Sequence, residues 1–138
     1  MKNILVIQGG GRVNGNTSQL VDSFIQGAKE AGHIVEKISL NTIEVRGCIG
    51  CNACRTYSKI KTADLIVFAS PLLFWTLSSK IKAFIERFYC IAEEDPNPPL
   101  GRYERYPIKD AALLMTSADN FFWTYEQAVS YYNFAIIN

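Results

Sequence analysis

Apolar and polar positions follow two rhythms along this chain. Ile4 to Ile7 is an unbroken apolar run, as expected of a central parallel strand covered on both faces. From Thr17 the period lengthens: Leu20, Phe24 and Ala28 share one helical face with Val21 and Ile25 beside them. Asn16 or Thr17 is the expected N-cap of that helix, and Gly32 after Ala31 its stop. Ile34 to Leu40 alternates, which suits an edge or near-edge strand, and Leu65 to Ala69 is a second buried strand ended by Ser70-Pro71. Ser78 to Cys90 reads as a helix with Ile81, Phe84, Ile85 and Phe88 inward. Ala111 to Met115 reads as a further strand, and Tyr125 to Ile137 as an aromatic-rich helix. The proline-containing stretch EEDPNPPLGRYERYP, 93–107, is expected to hold no regular element.

Strands alternating with helices predict an α/β fold, a doubly wound parallel sheet in three layers, α/β/α. Two features strain that layout. Before Leu65 there is room for only about two helical turns, short for a crossover. The chain also stops at Asn138 without the fifth strand such sheets usually carry. The expectation is a single domain over 1–138, with segments missing after residue 57 and at the C-terminus, or with a partner chain over the bare edge.

Composition narrows the class. Of 138 residues 49% are hydrophobic and 20% charged, and the net charge of +1 leaves no electrostatic footprint for nucleic acid or an anionic membrane. The opening apolar run is too short for a signal sequence or a membrane span. Without a secretory signal the four cysteines are expected in a reducing cytoplasm, where close spacing favours metal or redox chemistry over disulfides.

The turn QGGGRVNGNTSQL joins a buried strand to a helix start, a common seat for phosphate. The dinucleotide fingerprint G-x-G-x-x-G fails, because Gly9 and Gly11 fit but Asn14 holds the third position. In the Walker A pattern Gly10, Gly15 and Thr17 fit, but Asn16 stands where lysine belongs, which argues against an NTPase. What remains suits one monophosphate. Backbone N–H groups around Gly10, the Asn16 amide and the Thr17 and Ser18 hydroxyls are its candidate donors, with Arg12 as a second contact.

Four segments in this order resemble the NAD(P)H-dependent FMN reductases of the flavodoxin-like superfamily, close to the iron–sulfur flavoproteins. They are Gly9-Gly10-Gly11-Arg12 with Gly15-Asn16-Thr17, the C-x-x-C-x-x-C loop, Ser70-Pro71-Leu72-Leu73-Phe74-Trp75, and Lys82-Ala83-Phe84-Ile85-Glu86-Arg87. The resemblance implies strand order 2-1-3-4, with the family's fifth strand absent here, and FMN at the carboxyl ends of the strands. It implies a ring surface of Pro71, Leu72, Leu73, Phe74 and Trp75, and a third loop, Thr116, Ser117, Ala118 and Asp119, at the pyrimidine edge. NAD(P)H would be the electron donor, and a flavin, quinone or similar small molecule the acceptor. No catalytic acid or base is required, since the cofactor carries the chemistry. A homodimer or homotetramer is expected. The chain departs from the pattern at Gly10-Gly11, where the family has Ser-Pro, and at Leu73, where it has Tyr. The lone His33 is expected exposed, in a helix-to-strand turn.

Cys48, Cys51 and Cys54 leave several readings open. A [4Fe-4S] cluster normally takes four thiolates, so an electron carrier of that kind needs a ligand from elsewhere. Zinc faces the same shortage. Free thiols near the flavin or a subunit interface complete the set. Cys90 is expected about 18 Å away, at the far end of its helix, as a buried hydrophobe. A domain that keeps the fold but binds only phosphate, without FMN, is the remaining alternative.

Overall fold

A computed structural model of the chain describes residues 1–49, 58–88, 93–94, 104–105 and 109–137. Four strands, β1 (Asn3–Gln8), β2 (Ile34–Ser39), β3 (Leu65–Pro71) and β6 (Ala111–Thr116), form one parallel sheet in the order β2-β1-β3-β6. This is the expected 2-1-3-4 arrangement. A two-residue antiparallel pair, β4 (Glu93–Glu94) with β5 (Glu104–Arg105), stands in the stretch expected to hold no regular element.

The pleat divides the core in two. Ile4, Val6, Val67 and Ala69 face α1 (Asn16–Glu30) through Val21, with Phe24 and Ile25 packed alongside. Leu5, Ile7, Ile66 and Phe68 face the opposite layer. That layer holds α2 (Ser58–Thr62), α3 (Ser79–Glu86) and α4 (Glu126–Tyr132), which leads into a π-helical turn, Asn133–Ile137. Ile81, Phe84, Ile85 and Phe88 are all buried, as their helical spacing predicts. The five-residue α2 is the short crossover the sequence left room for. No described helix is long and apolar enough to cross a membrane.

Three local expectations are corrected. Gly15, not Asn16 or Thr17, is the N-cap of α1, because the Thr17 and Ser18 side chains are buried and bonded elsewhere. The helix read to Cys90 has its regular part end at Glu86. His33 is half-buried, its Nδ1 accepting from the Lys2 N–H at 3.2 Å.

Residues 41–47 run down α3 from the edge where the parallel strands end, the carboxyl rim. Lys80 Nζ, in the first turn of α3, donates to the Leu40 carbonyl at 2.8 Å. Arg87, just past its end, donates from Nε and Nη2 to the Arg46 carbonyl at 3.0 and 2.8 Å. Beside Gly47 stands the Glu86 carboxylate. Eight helical residues span about 12 Å, so Cys48 sits well below the rim rather than beside the glycine turn. Cys51, Cys54 and Cys90 lie outside the described residues, and Cys48 is half-buried.

Candidate functional site at the carboxyl rim

Three loops meet where the strands end. The first, residues 9–15, joins β1 to α1. Gly9 continues the sheet, its N–H donating to the Ala69 carbonyl at 2.8 Å. A Cβ there would lie 2.2 Å from Ile81 Cγ1 and 2.6 Å from Ser78 Oγ, so only glycine lets the turn lie against α3. Gly11, by contrast, faces open space.

Two carbonyls of this turn, those of Gly10 and Arg12, are held by protein donors. The Asn41 side-chain amide donates to the Gly10 carbonyl. The Ser18 hydroxyl donates to the Arg12 carbonyl at 3.2 Å, and the Gly15 N–H approaches the same oxygen at 3.3 Å. Ser18 also accepts from the Gln8 amide at 2.6 Å, so its single proton is committed to the loop. Ser18 thus braces the turn. No side chain caps α1, and no acidic residue stands in its first turn. A fifteen-residue helix therefore presents uncapped N–H groups and the positive end of its dipole at an open, glycine-lined mouth. Asn16 and Arg12 are exposed there. The residues fit a phosphate: donors are available, and the Gly10 and Arg12 carbonyls are engaged within the protein.

The second loop, residues 72–78, joins β3 to α3. Its base is closed by Ser70, whose hydroxyl accepts from the Ser78 N–H at 2.8 Å, while Ser78 Oγ caps α3 by accepting from the Ile81 N–H. Leu73 and Thr76 exchange backbone bonds of 3.0 and 3.1 Å, forming a two-residue hairpin turn. Its central residues, Phe74 and Trp75, have φ of 49° and 57°. Such turns normally take Asn and Gly. An aromatic residue in the left-handed region costs about 1–3 kcal/mol, so the turn stores strain in presenting two rings. Phe74 is 93% exposed and Trp75 48%, which rules out a core role within this chain.

The third loop, residues 117–125, follows β6. Thr116 Oγ1 and Thr17 Oγ1 share a hydrogen bond of 2.8 Å, and the Leu72 N–H donates to the Thr116 carbonyl at 2.8 Å. Thr116 therefore joins all three loops. Ser117 Oγ contacts Tyr125 Oη at 2.6 Å, fixing the following turn. Leu72, Phe74, Trp75, Ser117, Ala118, Asp119 and Thr124 line a pocket of about 240 Å³. Pro71 and Leu73 flank it on the second loop.

Five further residues, Phe121, Trp123, Gln8, Thr124 and Asn41, belong to this rim without having been expected from the sequence. Phe121 and Trp123 stack with centroids 5.6 Å apart and planes 3° from parallel, and Trp123 lies 6.2 Å from Trp75. These exposed rings extend the pocket into an aromatic ledge. The run Phe121-Phe122-Trp123 between a strand and a helix was the legible signal. Gln8 and Thr124 are buried, and Gln8 Oε1 and Thr124 Oγ1 have no hydrogen-bond partner among the described residues. Nothing in sequence marked Thr124 or Asn41. Among the described residues no group of three or more His, Cys, Asp or Glu could hold a metal ion.

Comparison with known proteins bears on this geometry. The sequence profile of the NADPH-dependent FMN reductase family matches residues 2–121. An iron–sulfur flavoprotein of Methanocaldococcus jannaschii is 33% identical over 97 residues, covering 61% of this chain and 50% of that protein. A Bacillus subtilis protein named an NAD(P)H-dependent FMN-containing oxidoreductase is 29% identical over 125 residues, covering 85% of this chain and 67% of that one. The chain spans about half the length of the iron–sulfur flavoproteins it matches. An NAD(P)H:quinone oxidoreductase from Methanothermobacter marburgensis shares the fold with TM-score 0.75 at 16% identity, over 96% of this chain and 74% of that chain. An azoreductase from Bacillus anthracis does so with TM-score 0.72 at 18% identity, over 99% and 80%.

Proposed function

We propose that this chain, which belongs to the NADPH-dependent FMN reductase family, binds FMN along its carboxyl rim and passes electrons from NAD(P)H to a small acceptor. The observation that carries the reading is one continuous surface. The uncapped start of α1 and the open glycine turn are tied through Thr17–Thr116 to the aromatic-lined pocket. FMN has a matching division into an anionic phosphate and a flat apolar ring.

When bound, FMN supplies the two-electron chemistry. The chain's residues do the holding. The N–H groups of the first loop and the Asn16 amide receive the phosphate, with Arg12 adding positive charge. Pro71, Leu72, Leu73, Phe74 and Trp75 support the ring. Thr116, Ser117, Ala118 and Asp119 offer polar atoms to its pyrimidine edge. The ledge of Trp123 and Phe121 supports a planar acceptor, which would bind by stacking.

Reconstitution tests this reading. The protein is expected to retain added FMN through gel filtration, and NADPH or NADH is expected to bleach the bound flavin's absorbance under anaerobic conditions. A protein that elutes colourless overturns the reading. One that retains FMN but is bleached by neither nucleotide overturns the reductase assignment.

The spacing of Cys48, Cys51 and Cys54, with relatives named iron–sulfur flavoproteins, favours a second reading as an electron carrier with a [4Fe-4S] cluster. A broad absorbance shoulder beneath the flavin bands, with stoichiometric iron, would support it. Flavin bands without iron would remove it.

A further inference from the structure

Asn41 stands one residue beyond Leu40, where the chain leaves β2, and its position is doubly anchored. The Leu40 N–H donates to the Gln8 carbonyl at 2.8 Å, extending the β1–β2 ladder, and Lys80 holds the Leu40 carbonyl from the other side. From this footing the half-buried Asn41 side chain reaches the Gly10 carbonyl. The contacting atom must be the amide nitrogen, because a carbonyl oxygen only accepts.

That bond determines more than one carbonyl. A trans peptide unit is planar, so the C=O of Gly10 and the N–H of Gly11 point in opposite directions. With the carbonyl held toward Asn41, the Gly11 N–H is aimed the other way, at the mouth of the turn. A Cβ built on Gly11 meets nothing within 4 Å. Three successive glycines, Gly9 to Gly11, would otherwise let this peptide rotate cheaply and turn an oxygen toward an incoming anion. The Arg12 carbonyl is held within the turn itself, by Ser18 and Gly15. The Gly10 carbonyl depends on Asn41.

We propose that Asn41 is a positioning residue of the phosphate cradle: by holding the Gly10 carbonyl it presents the Gly11 amide to the phosphate and makes the site select FMN over riboflavin. This rests on the reading of the rim as an FMN site and names the residue that confers its phosphate selectivity. Asn41 touches neither ring nor ribityl chain in this account, so its loss is confined to the phosphate end.

Dissociation constants for FMN and riboflavin, read by flavin fluorescence, test it on the wild type, Asn41→Ser and Asn41→Leu. The wild type prefers FMN. Asn41→Leu, close in size, uncharged and without a donor, loses about tenfold in FMN affinity, the scale of one hydrogen bond to a charged group, with riboflavin affinity unchanged. Asn41→Ser, which keeps a shorter donor, falls between. Retained riboflavin binding shows that the variants fold. Equal weakening of both ligands would reduce Asn41 to a structural residue and overturn the inference. So would a preference for FMN that survives both substitutions. A wild type that binds both flavins equally would overturn the cradle itself, a different failure.

Discussion

The two rims of the sheet are built from the same four strands and treated oppositely. At the amino rim the polar groups are matched. Asp64 accepts from the Asn3 N–H at 2.9 Å and from Lys109 Nζ at 2.8 Å, Lys2 pairs with Asp110 at 3.0 Å, and the Lys2 N–H reaches His33. At the carboxyl rim the long helix α1 is uncapped, two consecutive aromatic residues sit in the left-handed region, and rings stack in the open. Two of the three buried side-chain atoms without a partner among the described residues, Gln8 Oε1 and Thr124 Oγ1, are there too. Strain and unsatisfied groups gathered at one rim, with the polar groups of the other rim paired, mark where a ligand completes the structure.

Substitutions at each rim sharpen this contrast. The largest effect is expected from Gly9→Ala, whose new methyl meets Ile81 and Ser78 and forces α3 away from the turn. Urea denaturation should show a loss of about 1–3 kcal/mol, typical of overpacking. Phe74→Gly and Trp75→Gly carry the sharpest sign. Each releases left-handed strain and should raise the stability of the flavin-free protein by about 1 kcal/mol, while weakening FMN binding several-fold. A fall in both quantities would mean that the turn is ordinary packing. Thr116→Val removes the bond that joins α1 to β6 and should cost about 1 kcal/mol, read in the same denaturation series.

The smallest effect lies at the amino rim. The Asn3 N–H and Lys109 hold the Asp64 carboxyl below its usual pKa. A depressed carboxylate contributes stability above its unfolded pKa and loses it as pH falls through the folded value. Asp64→Asn should therefore be slightly less stable than wild type at neutral pH, with the gap closing in acid and FMN binding unchanged.

Much of this was legible in the sequence. Apolar rhythm located every strand of the main sheet and the inward face of α3, because burial on two faces leaves a long, unambiguous signature. The glycine turn and the Ser70-Pro71 loop were legible because their residue types serve a backbone need. Long-range contacts were not. Asn41 reaches Gly10 across 31 residues, and Thr17 meets Thr116 across 99, which no local pattern encodes. Ser18 looked like a free donor until its partners, Gln8 and Arg12, came into view. The course of residues 41–47 down α3 is set by Lys80 and Arg87, and that course moved Cys48 away from the rim.

Amide hydrogen exchange with and without saturating FMN tests the contrast between rims most directly. Slowed exchange is predicted in residues 9–18, 72–77 and 117–124, with no change around Asn3, His33, Asp64 and Asp110. Protection spread evenly over the sheet, or centred on the amino rim, would contradict the account.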